Sequence, residues 1–66
     1  MTIEDAIEAV LISKVLTGQL PPAEVDLFKR HLLLNYNRRT TKKSALYPLY
    51  PWVVEAMEVL HANDHR

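Results

Sequence analysis

The apolar residues between positions 25 and 36 limit the possible folds of this chain more than any other feature. One set recurs at the spacing of a single helix face: Val25, Phe28, Leu32 and Tyr36. Leu27 and Leu34, seven residues apart, form a second apolar stripe. A helix that is apolar on two faces needs neighbours on both. The segment therefore predicts a helix over about residues 22–37 that packs against more than one partner.

Apolar spacing predicts one further helix on each side, over about residues 3–17 and 51–62. Thr2 is a favoured N-cap for the first of these helices, and Gly18 suits the left-handed position past its end. Ile12 lies off the apolar face, so it either widens a buried arc or forms an exposed contact for a second chain. The expected fold is all-α, a small three-helix domain made of a helical hairpin and a C-terminal helix.

The connection between the second and third helices contains a basic loop and a Tyr/Pro segment. Because Asn tolerates the left-handed conformation that ends helices, the second helix is expected to end near Asn37. Residues 37–44 are polar and positive without periodicity, which predicts a loop. Tyr47 and Tyr50 each precede a proline, which disfavours helical geometry. We therefore expect residues 45–52 to be extended, with partly buried rings.

Chain length favours self-association. The 66 residues allow one domain, and with no cysteine neither a disulfide nor a thiolate metal site can stabilise it. A chain this short buries only about 60% of its unfolded surface. Small domains commonly compensate by forming oligomers. The two apolar faces of the second helix therefore point to a homodimer or a larger assembly.

No segment of the sequence predicts secretion or membrane insertion. The N-terminus is acidic, with Glu4, Asp5 and Glu8, where a secretory signal would be basic. The longest apolar run spans only residues 9–12, far below the ~20 residues that a membrane-spanning helix needs. The expectation is a soluble, cytoplasmic protein without a membrane partner.

The charge is concentrated in one band, although the formal net charge is +0. Residues 1–28 hold five acids and one base, and residues 44–66 hold three acids and one base. In the band between them, residues 29–43, every charged residue is basic: Lys29, Arg30, Arg38, Arg39, Lys42 and Lys43. Such a band can bind phosphates or an acidic protein, or it can simply be solvated. Tyr36, Tyr47 and Tyr50 flank the band and could stack on unpaired bases.

The sequence offers little for catalysis, cofactors or metals. Its single glycine rules out a glycine-rich phosphate loop, and no hydroxyl residue has an evident His and carboxylate partner. His61 and His65 are four residues apart beside Asp64, but two neighbouring ligands do not complete a tetrahedral site. No enzyme activity, cofactor or metal is therefore predicted.

The predicted function is binding. The sequence favours a non-enzymatic helical interaction or regulatory module that self-associates and binds a protein partner. The alternative is a nucleic-acid-binding regulator that uses residues 29–43. Because aromatic residues dominate interface energetics, the candidate anchors are Phe28, Tyr47, Tyr50 and Trp52. Trp52 fits a position in the core equally well.

Overall fold

The computed structural model describes residues 1–64 and contains three α-helices in this part of the chain. They are α1 (Ile3–Leu16), α2 (Val25–Arg38) and α3 (Tyr50–Asp64). Short 3-10 turns at Pro22–Glu24 and Tyr47–Leu49 lead into α2 and α3. Residues 1–64 contain no β-strand, so the predicted all-α, three-helix fold is confirmed.

Both ends of α1 follow the predicted capping chemistry. The Thr2 hydroxyl accepts a hydrogen bond of 3.2 Å from the Asp5 backbone N–H. Gly18 takes the left-handed conformation, with φ of +77°. Leu20 follows it and is buried, which closes the turn onto the core and directs the chain back toward α2.

Helix α2 ends close to the predicted position, but through a different residue. The helix continues past Asn37, and Arg39 adopts the left-handed conformation with φ 49° and ψ 56°. The Asn35 carbonyl accepts hydrogen bonds from the backbone N–H groups of both Arg39 and Thr40. These bonds stop the helix after Arg38, one residue past the predicted end near Asn37, and Arg39 rather than an Asn takes the left-handed conformation.

The two left-handed residues give opposite stability predictions. No heavy atom lies within 4 Å of a Cβ built on Gly18, so Gly18→Ala tests backbone conformation alone. We expect a loss of about 1 kcal/mol in the free energy of unfolding, because the left-handed conformation disfavours a Cβ. Arg39→Gly relieves the same strain and is expected to gain up to about 1 kcal/mol. Urea unfolding of both variants measures this, and equal shifts in one direction would contradict it.

Residues 45–52 are not extended, so that part of the prediction is wrong, whereas Tyr47 and Tyr50 are partly buried as expected. Leu46 and Tyr50 both have right-handed helical angles, and the Leu49 N–H donates to the Leu46 carbonyl at 3.1 Å. Pro48 and Pro51 lie in first turns, where a missing N–H breaks no helical hydrogen bond. This placement outweighs the preference of residues before proline for extended geometry.

The core lies where the three helices meet. Helix α1 packs against both α2 and α3 and supplies half of the buried apolar residues. The set is Ala6, Ile7, Val10, Leu11, Leu20, Leu32, Val53 and Ala56. Two ion pairs also join the helices, Lys14 with Glu55 at 3.0 Å and Lys29 with Glu8 at 3.5 Å. Within residues 1–64, no helix is both long and apolar enough to cross a membrane.

Candidate interaction surfaces

The structure divides the basic band into two parts. Lys29 lies within α2 and forms its ion pair with Glu8 of α1. Arg30 is also on α2 but is exposed. The remaining bases are exposed at and beyond the end of α2 and are here called the basic end: Arg38, Arg39, Lys42 and Lys43. Positive charge at this position also complements the negative end of the helix dipole.

A cleft of about 480 Å³ opens beside the basic end, between α2 and α3. Its lining combines one guanidinium, an amide, two phenol rings and two apolar side chains, and it is more polar than apolar: Tyr36, Asn37, Arg39, Tyr50, Val53 and Met57. No ion pair joins Arg39 to a carboxylate among the residues whose side chains the structure describes. The cleft therefore offers an unpaired cation next to apolar surface, which suits an acidic group carried on an apolar side chain or segment.

The aromatic candidates fall into two separate clusters. Trp52 packs against Phe28 at 5.7 Å between ring centroids, and the Lys14 ammonium lies 5.3 Å from the Trp52 ring. This cluster connects all three helices, so Trp52 and Phe28 hold the fold together. Tyr47 instead stacks on Tyr50 at 6.5 Å, beside the cleft. Of the predicted anchors, only the tyrosines lie with the basic end.

The second apolar stripe of α2 is uncovered. Leu27 and Leu34 are 48% and 40% exposed, whereas Leu32 on the opposite side of the helix is fully buried. A shallow groove of about 220 Å³ lies beside Leu34, and its walls are Arg30, Leu33, Leu34 and Asn37. We call Leu27, Arg30, Leu34 and the adjoining groove the outer face of α2. No part of the described chain covers it.

Helix α1 also presents apolar residues to solvent. Ile12 is 48% exposed and Leu16 is 82% exposed. They are four residues apart and so share one side of the helix. The alternative in which Ile12 widens the buried arc is therefore wrong.

A buried polar pair lies on α2 close to the core. Asn35 is fully buried, and its side-chain N–H donates to the His31 carbonyl at 2.7 Å. Among the described residues, neither Asn35 Oδ1 nor His31 Nδ1 has a hydrogen-bond partner. A buried acceptor without a partner costs stability. Sequence spacing placed neither residue in the core, because both are polar.

The unpartnered oxygen of Asn35 predicts that a substitution at this buried position will raise stability. Asn35→Leu removes the unpartnered acceptor and keeps the branched outline of the side chain, so we expect a gain of about 1–2 kcal/mol in the free energy of unfolding. Asn37→Leu is the matched control, since Asn37 is exposed and should change stability by less than about 0.5 kcal/mol. Thermal and urea unfolding measure both variants. A clear loss of stability in Asn35→Leu would contradict this prediction.

The possible metal ligands do not form a cluster in the part of the chain that the structure describes. No group of three or more His, Cys, Asp or Glu side chains comes together there. His61 is exposed on α3, and His65 lies outside the described residues.

Comparison with known proteins adds no relative from which a function can be transferred. The sequence matches no protein-family model, and searches of curated proteins and of solved structures found no match either. Function must therefore be argued from the surfaces of this chain.

Proposed function

We propose that this protein is a non-enzymatic helical interaction module that self-associates and binds a protein partner. The observation that carries the proposal is the outer face of α2, where Leu27 and Leu34 remain open to solvent. Full burial of a leucine side chain contributes about 1.5–3 kcal/mol relative to leaving it exposed. Burial of this face against another molecule therefore contributes free energy of association.

The basic end and its cleft supply the proposed contact with a protein partner. An acidic partner would be attracted by the exposed bases, which set its orientation and association rate. One of its carboxylates would bind the Arg39 guanidinium, while apolar atoms next to it would pack on Met57 and the Tyr50 ring of the cleft. This proposal uses the charge of the basic end and the shape of the cleft together.

Capture from lysate of the native host tests this contact. The variant Arg39→Gln with Lys43→Gln removes two charges and leaves Arg38, the last residue of α2, unchanged. We expect that a protein captured by the wild type will not be captured by this variant. The control Gln19→Glu with Ala62→Glu makes the same net-charge change at exposed positions that do not line the cleft, and should retain that protein. Equal recovery by all three proteins would contradict a role for the basic end.

The second candidate is binding of single-stranded nucleic acid. It is favoured by the four exposed basic side chains next to Tyr36 and Tyr50. Basic side chains bind phosphates, and aromatic rings stack on nucleobases. Four phosphate contacts predict that the logarithm of the binding constant falls against the logarithm of salt concentration with a slope of about −3. Titration of short single-stranded DNA and RNA measures this slope. Absence of binding at low salt would eliminate this function.

A further inference from the structure

We propose that the outer face of α2 pairs with the same face of a second copy, with the two helices antiparallel. This proposal rests on the self-association proposed above and specifies its geometry. In the proposed register, Leu27 of each copy lies at the level of Leu34 of the other. A two-fold axis then passes between the helices at the level of Arg30 and His31, and each leucine contact occurs twice.

The distribution of charge along α2 selects the antiparallel orientation. The start of the helix is acidic, with Glu24 and Asp26, and its last turn carries Arg38. The register set by the leucines brings Glu24 of one copy within about one residue, or ~1.5 Å along the axis, of the level of Arg38 of the other. The two helix dipoles also oppose each other. A parallel pair would place acid beside acid and base beside base.

The shape of the outer face fits the same register. The groove beside Leu34 is formed by residues 30, 33, 34 and 37. These are the i, i+3, i+4 and i+7 positions, and four facing residues of this kind receive an apolar side chain in knobs-into-holes packing. Leu27 of the second copy lies at the level of this groove.

One contact opposes the pairing. Arg30 lies beside the two-fold axis, so the Arg30 side chains of the two copies come close to each other. Asp26, one turn earlier in each chain, is the neighbouring opposite charge. Removing the Arg30 charge is therefore expected to strengthen the association.

Cysteine cross-linking tests the geometry directly, because the chain contains no cysteine. A disulfide requires Cα atoms within ~7 Å of each other. In the antiparallel pair, Arg30→Cys is expected to cross-link to itself under mild oxidation. The two copies of position 24 lie ~20 Å apart. Glu24→Cys is therefore expected to cross-link only when mixed with Arg38→Cys. Rapid self-cross-linking of Glu24→Cys or Arg38→Cys, or none by Arg30→Cys, would overturn the antiparallel geometry.

Charge reversal provides an independent test by sedimentation. We expect Glu24→Arg alone and Arg38→Glu alone to weaken self-association about tenfold, and the double reversal to restore it. Lys43→Glu, beyond the end of the helix, is the control and should change little. Circular dichroism verifies that each variant is folded. If wild type associates but ignores these reversals, the antiparallel pairing is wrong while self-association stands; a monomeric wild type contradicts both.

Discussion

Leu32→Ala is expected to remove a large share of the free energy of unfolding. Leu32 is fully buried at the point where α2 meets the other helices. Leucine-to-alanine changes at such positions cost about 2–5 kcal/mol. At ~0.05–0.15 kcal/mol per residue, the whole chain has only about 3–10 kcal/mol of stability. Urea unfolding followed by circular dichroism, at concentrations low enough to limit association, measures the loss.

Leu34→Ala is the matched control for this experiment. It deletes the same atoms from the same helix, two residues along, but Leu34 is 40% exposed. The expected loss is below about 1 kcal/mol for the dissociated protein. Equal losses at the two positions would mean that the core described for α2 is wrong.

The variant Leu27→Lys with Leu34→Lys is expected to abolish self-association and to keep the fold. Both side chains are outside the core, so the free energy of unfolding of the monomer should change by less than about 1 kcal/mol. In the associated state, two lysines per copy would have to be desolvated in place of two leucines. We expect the dissociation constant to rise at least about a hundredfold, or ~3 kcal/mol. Sedimentation equilibrium measures this change.

The outer side of α1 supplies the control for this second prediction. Ile12→Lys with Leu16→Lys makes the same type of change at two apolar positions that are at least as accessible as Leu27 and Leu34. Self-association should survive it, because the proposed contact uses α2. The reverse result, with association lost by the α1 variant and kept by the α2 variant, would move the interface to α1.

Apolar spacing was enough to predict the three helices, because each one buries a continuous side. The buried residues Ile7, Leu32 and Val53 all belong to the stripes that the sequence shows. The α1 caps were predictable for a different reason. A hydroxyl at position 2 and a glycine at position 18 each satisfy a local backbone requirement that needs no tertiary contact.

The connection between α2 and α3 was not predictable by the same local rules. Asn is the residue that favours the left-handed conformation at a helix end, but Arg39 adopts it here. The backbone N–H groups of Arg39 and Thr40 both donate to the Asn35 carbonyl and end α2. Tyr50 precedes a proline, yet it begins α3 and stacks on Tyr47. In each case a statistical preference of one residue is weaker than the contacts of the folded segment.

The charged residues of the candidate surfaces could be named from the sequence, but their pairing could not. Lys29 belongs to the basic band, yet Glu8 partly neutralises it from another helix. Trp52 resembles an interface anchor, but in the fold it lies beneath Lys14 and against Phe28. The cleft around Arg39 is lined by residues of α2 and α3. Spacing along the sequence does not show how close those two helices lie.

Sedimentation equilibrium of the unmodified protein tests most directly whether the outer face of α2 is covered by a second copy. We expect the average mass to rise from one chain toward two between about 1 and 300 µM, the range of a weak dimer. Leu27→Lys with Leu34→Lys should remain at the mass of one chain throughout. A folded wild-type protein that stays monomeric over the whole range would contradict self-association through this face.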